Sequence, residues 1–348
     1  LAFLSYLVLY AGFGYDPFYF HMFSLLLHIG CVCLVWKLIS SLLRVHGGVS
    51  EKQILYVNFI TTLLFAVHPI NVEAVAWISA LKVLLYAFFY LLGLLCYLRY
   101  IRTSKIFYYV LTIGCFLCSF WGKEQAVTFP LALLIVDWFT NRNMKNLEVW
   151  SEKMSFLIMA FFFGIITVLS QGKGPYEMIF PLYQRLLFGC FALVEYITKS
   201  LLPVNLNFFY PFPIVLGEEP PLHYYLYPVV LLFLMGWIIA YRNNRYLVFG
   251  VLLFLVNLLF SIHLFNMSRH AIVADRYMYL SYVGIAFLIA NGIWWLRKRL
   301  SYFKAALVFL FFYCFFLSVY TFHYTKKGKH NDGEEIHKRS IRKKVEWK

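Results

Sequence analysis

Ala66–Leu85 reads AVHPINVEAVAWISALKVLL. It interrupts a series of membrane-length apolar segments with a compact polar set: His68, Pro69, Asn71, Glu73 and Lys82. Pro69 removes a backbone donor and pushes the residue before it toward an extended geometry, so a helix must end there. Ile70–Ala80 then has the spacing of a short amphipathic helix, with Val72, Val75, Ala76 and Ser79 on one side. A carboxylate, an imidazole and an amide at the mouth of a membrane helix face water, a cavity or a partner, because burying them in lipid is costly. The plainer alternative is an interfacial helix whose polar groups are satisfied locally.

The segments flanking this stretch decide the fold class. The 348 residues are 62% hydrophobic, 21% aromatic and only 14% charged, and apolar runs of about 15 to 20 residues recur along the chain, the signature of transmembrane helices. Strand alternation is missing, so the spanning structure is helical and not a barrel. The expectation is an all-α, polytopic membrane bundle of about ten to eleven transmembrane helices. It would occupy residues 1–323, followed by a polar tail over 324–348 on the non-cytoplasmic side. The net charge of +15 does not imply nucleic acid, since the basic residues are scattered between hydrophobic runs. The seven cysteines fall mostly inside those runs, where Cys115-x-x-Cys118 reads as packing rather than a redox or zinc motif. His21 and His28, seven apart, share a helix face and read as polar glue between helices rather than metal ligands. No ligand spacing identifies a metal or cofactor.

Charge asymmetry orients the bundle. Arg44/Lys52, Arg99/Arg102/Lys105 and Arg142/Lys145/Lys153 mark one side as cytoplasmic. His68–Glu73, Lys123–Gln125 and Gln171–Arg185 then share the other side. To keep Arg242/Arg245 and Arg297/Lys298/Arg299/Lys304 cytoplasmic, Leu186–Leu202 must make no net crossing; it carries Glu195 and Lys199 and ends at Pro203. Arg269, Asp275 and Arg276 fall on the outer side. Cations there suit phosphate, which Arg and Lys hold through charge-assisted hydrogen bonds. Glu73 and Asp275 are the candidate catalytic carboxylates, as general base or its orienter. His68, Asn71, Lys82, Lys123, Glu124, Arg185, Arg276 and Tyr277 are the candidate substrate contacts, with Trp77 and Tyr279 as aromatic neighbours. Lys123/Glu124 and Asp275/Arg276 could instead be local ion pairs locking loops.

Five blocks carry a resemblance: DPFYFHMFSLLLH (Asp16–His28), HPINVEAVAWIS (His68–Ser79), GKEQAVTFPLALLIVDW (Gly122–Trp138), LLPVNLNFFYPFP (Leu201–Pro213) and VADRYMYLSYVG (Val273–Gly284). Together and in this order they resemble the transmembrane and tetratricopeptide-repeat-containing O-mannosyltransferases and their bacterial relatives. The resemblance implies a GT-C type glycosyltransferase fold. It implies transfer of a sugar from a polyprenyl-phosphate donor to a protein or glycan acceptor on the non-cytoplasmic face. The partners implied are membrane lipids, that lipid-linked sugar and the acceptor. The implied location is a bacterial inner membrane or, alternatively, the endoplasmic reticulum. The family's acidic catalytic motif would precede Leu1, and its repeat array would follow the last span. At Ala80–Val83, where the family carries a charged run, only Lys82 is charged. The alternative function is an inactive membrane scaffold, or a protein that binds or transports lipid-linked sugars.

Overall fold

The structure is a computed structural model that describes residues 1–170, 180–215, 217–263 and 271–346, without the side chains of 168, 170 and 326–346. Arg269 and most of the Gln171–Arg185 segment lie outside the described residues. The described chain is helical: α1 Ala2–Phe13, α2 Pro17–His46, α3 Glu51–Val67, α4 Val72–Ala76, α5 Leu81–Thr103, α6 Ile106–Gly122, α7 Phe129–Phe139, α8 Leu147–Ser170, α9 Leu182–Leu201, α10 Leu226–Ala240, α11 Arg245–Leu258, α12 Met278–Trp295 and α13 Leu300–Glu346. Its caps follow the sequence. Asp16 accepts from the Phe18 N–H before Pro17, Ser50 from Gln53, and Asn244 from Tyr246 and Leu247, each satisfying donors that a helix start leaves open.

Six helical segments among the described residues are long and apolar enough to cross a membrane: Pro17–His46, Ile78–Thr103, Leu147–Thr167, Leu222–Ala240, Asp275–Lys298 and Leu300–Thr325. A seventh is the pair Glu51–Val67 and Pro69–Ala76, bent by 50°. The expected ten to eleven helices are therefore not reached by length and composition. The physical reason is length: α7 has 11 residues and α11 has 14, about 17 and 21 Å at about 1.5 Å per residue, against a hydrocarbon core of about 30 Å. Leu182–Leu201 is long enough but is not among the apolar spans.

Helices α2, α3, α5, α11 and α12 form the centre, and α10 buries almost nothing against the protein, as a lipid-facing helix does. The α11–α12 crossing is set by two glycines. A Cβ on Gly284 would lie 2.5 Å from the Gly250 carbonyl oxygen and 2.8 Å from the Phe254 nitrogen. Backbone cannot yield to that intrusion as a side chain can, and small residues at such crossings let membrane helices approach closely. Gly284→Ala is therefore expected to destabilise the folded chain by about 1–3 kcal/mol, read as a lowered unfolding midpoint in detergent. A midpoint equal to wild type would mean the crossing is loosely packed.

Helix ends sort into two groups. Helix α5 has 23 residues, about 34 Å, and begins beside the turn at Trp77. At its other end Tyr97 meets Asp137 and Arg142. His46, at the end of α2, stacks on Phe139 and meets Tyr246; Trp294, at the end of α12, meets Tyr56 at the start of α3. These termini share one end of the bundle. His68–Glu73, Lys123 and Asp275–Arg276 share the other, since Glu73 contacts Arg276 and Lys123 lies on Tyr277. Helix α9 touches Phe212, Ile262, Ala274 and Asp275 along its length. These contacts are with residues of the second end.

Candidate functional site

The second end is built from the break at Pro69. The expected single helix Ile70–Ala80 is instead a 3-10 turn (Pro69–Asn71), α4, and a further 3-10 turn (Ile78–Ala80), with extended backbone at Trp77. The bend frees the last carbonyls of α3, which cannot stay unpaired at membrane depth. Asn71 Nδ2 donates to the Phe65 carbonyl at 2.7 Å, His28 Nε2 lies 3.3 Å from that of Ala66, and Thr321 Oγ1 donates to that of Val67 at 3.1 Å. His68 Nδ1 accepts from the Ile70 N–H at 3.2 Å, and its ring lies 4.2 Å from that of Tyr282. Asn71 and His68, expected to contact substrate, are buried, and each uses one polar atom to close the helix end. His28 also lies 2.8 Å from the Tyr279 hydroxyl, so it is interhelical glue. Tyr279 is core rather than lining, and His21 is exposed.

Glu73, 1% exposed, is carried inward by α4. One carboxylate oxygen accepts the Arg276 backbone N–H at 2.7 Å and the other pairs with the Arg276 guanidinium. Because residues 275–277 form the 3-10 turn that starts α12, the carboxylate also meets the positive end of that helix. Arg276 is partly exposed, with its guanidinium 5.3 Å from the Trp77 ring centre and 5.2 Å from that of Tyr277. In the same cluster, the Lys123 ammonium sits 4.4 Å from the centre of the Tyr277 ring. Lys123 is extended between α6 and the 3-10 turn Glu124–Thr128. Gly122 allows this, because a Cβ there would lie 2.8 Å from the Tyr86 backbone nitrogen. Lys123 and Arg276 therefore share one aromatic ring, each within reach of cation–π attraction.

Asp275, fully buried, points the other way. The Tyr210 hydroxyl donates to its carboxylate at 3.0 and 3.2 Å, and the Lys199 ammonium lies 3.6 Å from it and 3.5 Å from Glu195. Lys199 also sits 3.4 Å from the centre of the Tyr210 ring. Burial lowers the Lys199 pKa against the opposing pull of Asp275 and Glu195, and burial followed by the Asp275 charge raises that of the Tyr210 phenol. The loop carrying Tyr210 is pinned by an isolated antiparallel bridge to Val273, with the Ile272 N–H donating to the Tyr210 carbonyl at 2.9 Å.

Of the expected residues, Glu73, Lys123, Asp275, Arg276 and Tyr277 come together. Lys82 does not: it is exposed on the first turn of α5. Glu124 is half-buried and forms no ion pair among the described residues. Arg185 lies fourteen residues before Lys199 on α9, about 21 Å along the helix. Tyr210 and Tyr196 were missed as site residues. Tyr196 exchanges hydrogen-bond contacts with the Ala274 backbone. The signal available was the Pro- and aromatic-rich block around Tyr210, which reads as a structured loop but does not reveal which ring turns inward.

At the opposite end lies a second charged cluster. Asp137 and Lys153, both fully buried, form an ion pair, and the Tyr97 hydroxyl donates to both Asp137 oxygens at 2.8 Å. Arg142 reaches Asp137 at 3.2 Å and Glu152 at 2.7 and 3.0 Å, while Lys153 reaches Glu152 at 3.0 Å. Of the basic group Arg142/Lys145/Lys153, used above to orient the bundle, two cations are matched by two carboxylates. The network ties α5, α7 and α8 together.

The chain is related in sequence to the transmembrane O-mannosyltransferases. It is 28% identical over 153 residues to protein O-mannosyl-transferase Tmtc3 of Drosophila melanogaster, covering 38% of this chain and 16% of that protein. It is 29% identical over 177 residues to the Xenopus laevis protein O-mannosyl-transferase tmtc2, covering 49% and 20%. It is 33% identical over 153 residues to human protein O-mannosyl-transferase TMTC2, covering 42% and 17%. The chain thus matches a fifth or less of the length of these relatives. They are animal proteins, and the expectation of a bacterial inner membrane gains no support from them. No family model matches the chain, and no solved structure matches it.

Proposed function

We propose that this relative of the protein O-mannosyl-transferases is a membrane glycosyltransferase of GT-C type. It takes a mannosyl or related sugar from a polyprenyl-phosphate donor and transfers it to a protein acceptor on the non-cytoplasmic face. The membrane is the endoplasmic reticulum rather than a bacterial inner membrane. The observation that carries this reading is the pair of cations Lys123 and Arg276, both within cation–π distance of the Tyr277 ring. Both come from loops at the same end of the bundle, and Arg276 is partly open to solvent. As the bond from sugar to phosphate breaks, negative charge collects on the leaving phosphate, and fixed cations there stabilise it. Trp77, two-fifths exposed beside Arg276, offers a flat apolar face to the sugar or to the first isoprenes. Glu73 and Asp275, read from the sequence as candidate catalytic carboxylates, act here by holding cations and turns in place.

Equilibrium binding of a polyprenyl-phosphate-mannose, with a transfer assay on the intact protein, tests this. Lys123→Ala removes one charge-assisted contact, worth about 1.5–3 kcal/mol, so donor affinity should fall about tenfold to hundredfold. Unchanged affinity in a folded Lys123→Ala protein would put the phosphate elsewhere.

A further inference from the structure

The end of the bundle opposite the candidate site carries a different arrangement of charge. Four arginines there lie over aromatic rings at separate helix ends. Arg99 lies 5.7 Å from the Tyr108 ring centre, Arg245 5.2 Å from that of Trp138, Arg297 4.6 Å from that of Trp294, and Arg299 5.9 Å from that of Tyr302. None of the four pairs with a carboxylate among the described residues. Arg99, Arg297 and Arg299 are exposed and Arg245 is partly so. The contrast lies within the same end: Arg142 and Lys153 are consumed by Asp137 and Glu152, while these four keep their charge outward.

We propose that this end is a binding surface for anionic phospholipid head groups, with phosphatidylserine as the test case. Tyr and Trp rings mark the depth of the lipid–water interface. An arginine held over such a ring keeps its guanidinium at head-group level, where its N–H groups can meet a phosphate or carboxylate. Lipid fits this surface because Arg99, Arg297 and Arg299 sit at the termini of helices long and apolar enough to span, and Arg245 lies at the same end of the bundle. Basic residues beside membrane spans attract acidic lipids through the leaflet's own surface charge. The proposal is independent of the sugar-transfer reading, which concerns the other end.

The test is lipid retention by the intact protein in detergent, read by native mass spectrometry after mixing phosphatidylserine with phosphatidylcholine. Wild type is expected to prefer phosphatidylserine by about tenfold. A variant with Arg99, Arg245, Arg297 and Arg299 all changed to Gln should drop to less than about threefold. Equal retention of both lipids by wild type, or an undiminished preference in the Gln variant, overturns the proposal. Removing four cations also risks inverting the topology, so a variant with all four changed to Lys is measured beside it. That variant keeps the charge, and its orientation is checked by labelling a cysteine at Lys82. A several-fold weaker preference supports the guanidinium-on-ring geometry; a wild-type preference refutes it. Water-soluble glycerophosphoserine should fail to displace the lipid at millimolar concentration. Displacement would mean that the surface binds free phosphate esters and not lipid.

Discussion

Lys153→Met is expected to lose about 3 kcal/mol or more of stability, because it leaves Asp137 as a buried carboxylate with part of its compensation removed. Asp137 and Lys153 are both fully inaccessible. Tyr97 and Arg142 remain to Asp137 after the change, which sets the expectation at the lower end of the range for a broken buried pair. Asp137→Leu alone should cost a similar amount, since Lys153 would keep only Glu152 and Tyr97 as partners. The two changes together should cost much less than their sum, because a buried ion pair replaced whole by apolar groups is often neutral. Thermal unfolding in detergent of the two single variants and the double variant measures this cycle. Additive losses would show that the two side chains do not depend on each other, and that the network is not the clamp between α5, α7 and α8.

Arg276→Met is expected to have the second large effect, and in two separable parts. It strands the carboxylate of Glu73, which is almost wholly buried, and it removes a cation from the proposed phosphate site. The stability loss should be about 3 kcal/mol or more, together with the loss of donor binding. Adding Glu73→Gln removes the stranded charge, so the double variant should regain most of its stability while donor affinity stays at least tenfold down. Recovery of donor affinity along with stability would mean that Arg276 serves only to pair Glu73. Arg276→Lys should fall between these, because an ammonium keeps the charge but lacks the guanidinium's planar, delocalised contact with the Trp77 and Tyr277 rings.

Much of this protein can be read without coordinates. Composition and run length fix an all-helical membrane protein, since lipid leaves the backbone no other way to satisfy its own polar groups. Pro69 fixes the break after α3 by local geometry alone. The polar residues that survive in apolar surroundings, Glu73, Lys123 and Asp275–Tyr277, mark one end of the bundle because burying them needs partners. What residue types cannot say is which partner each one finds. His68 and Asn71 have the chemistry of ligand contacts, yet both are buried and each uses one polar atom to close the helix end that Pro69 opens. Arg142 and Lys153 enter the sequence reading only as positive charge that orients the bundle; folding brings Asp137 and Glu152 to them. Arg185 and Lys199 share a helix, and only the packing of α9 against Asp275 puts Lys199 at the cluster while Arg185 stays about four turns away. Hydrophobic run length and proline act locally and are legible in order along the chain. Ion pairs and aromatic contacts depend on which helix ends meet, and that is decided by the packing of glycine-lined crossings such as Gly250–Gly284, which no local pattern encodes.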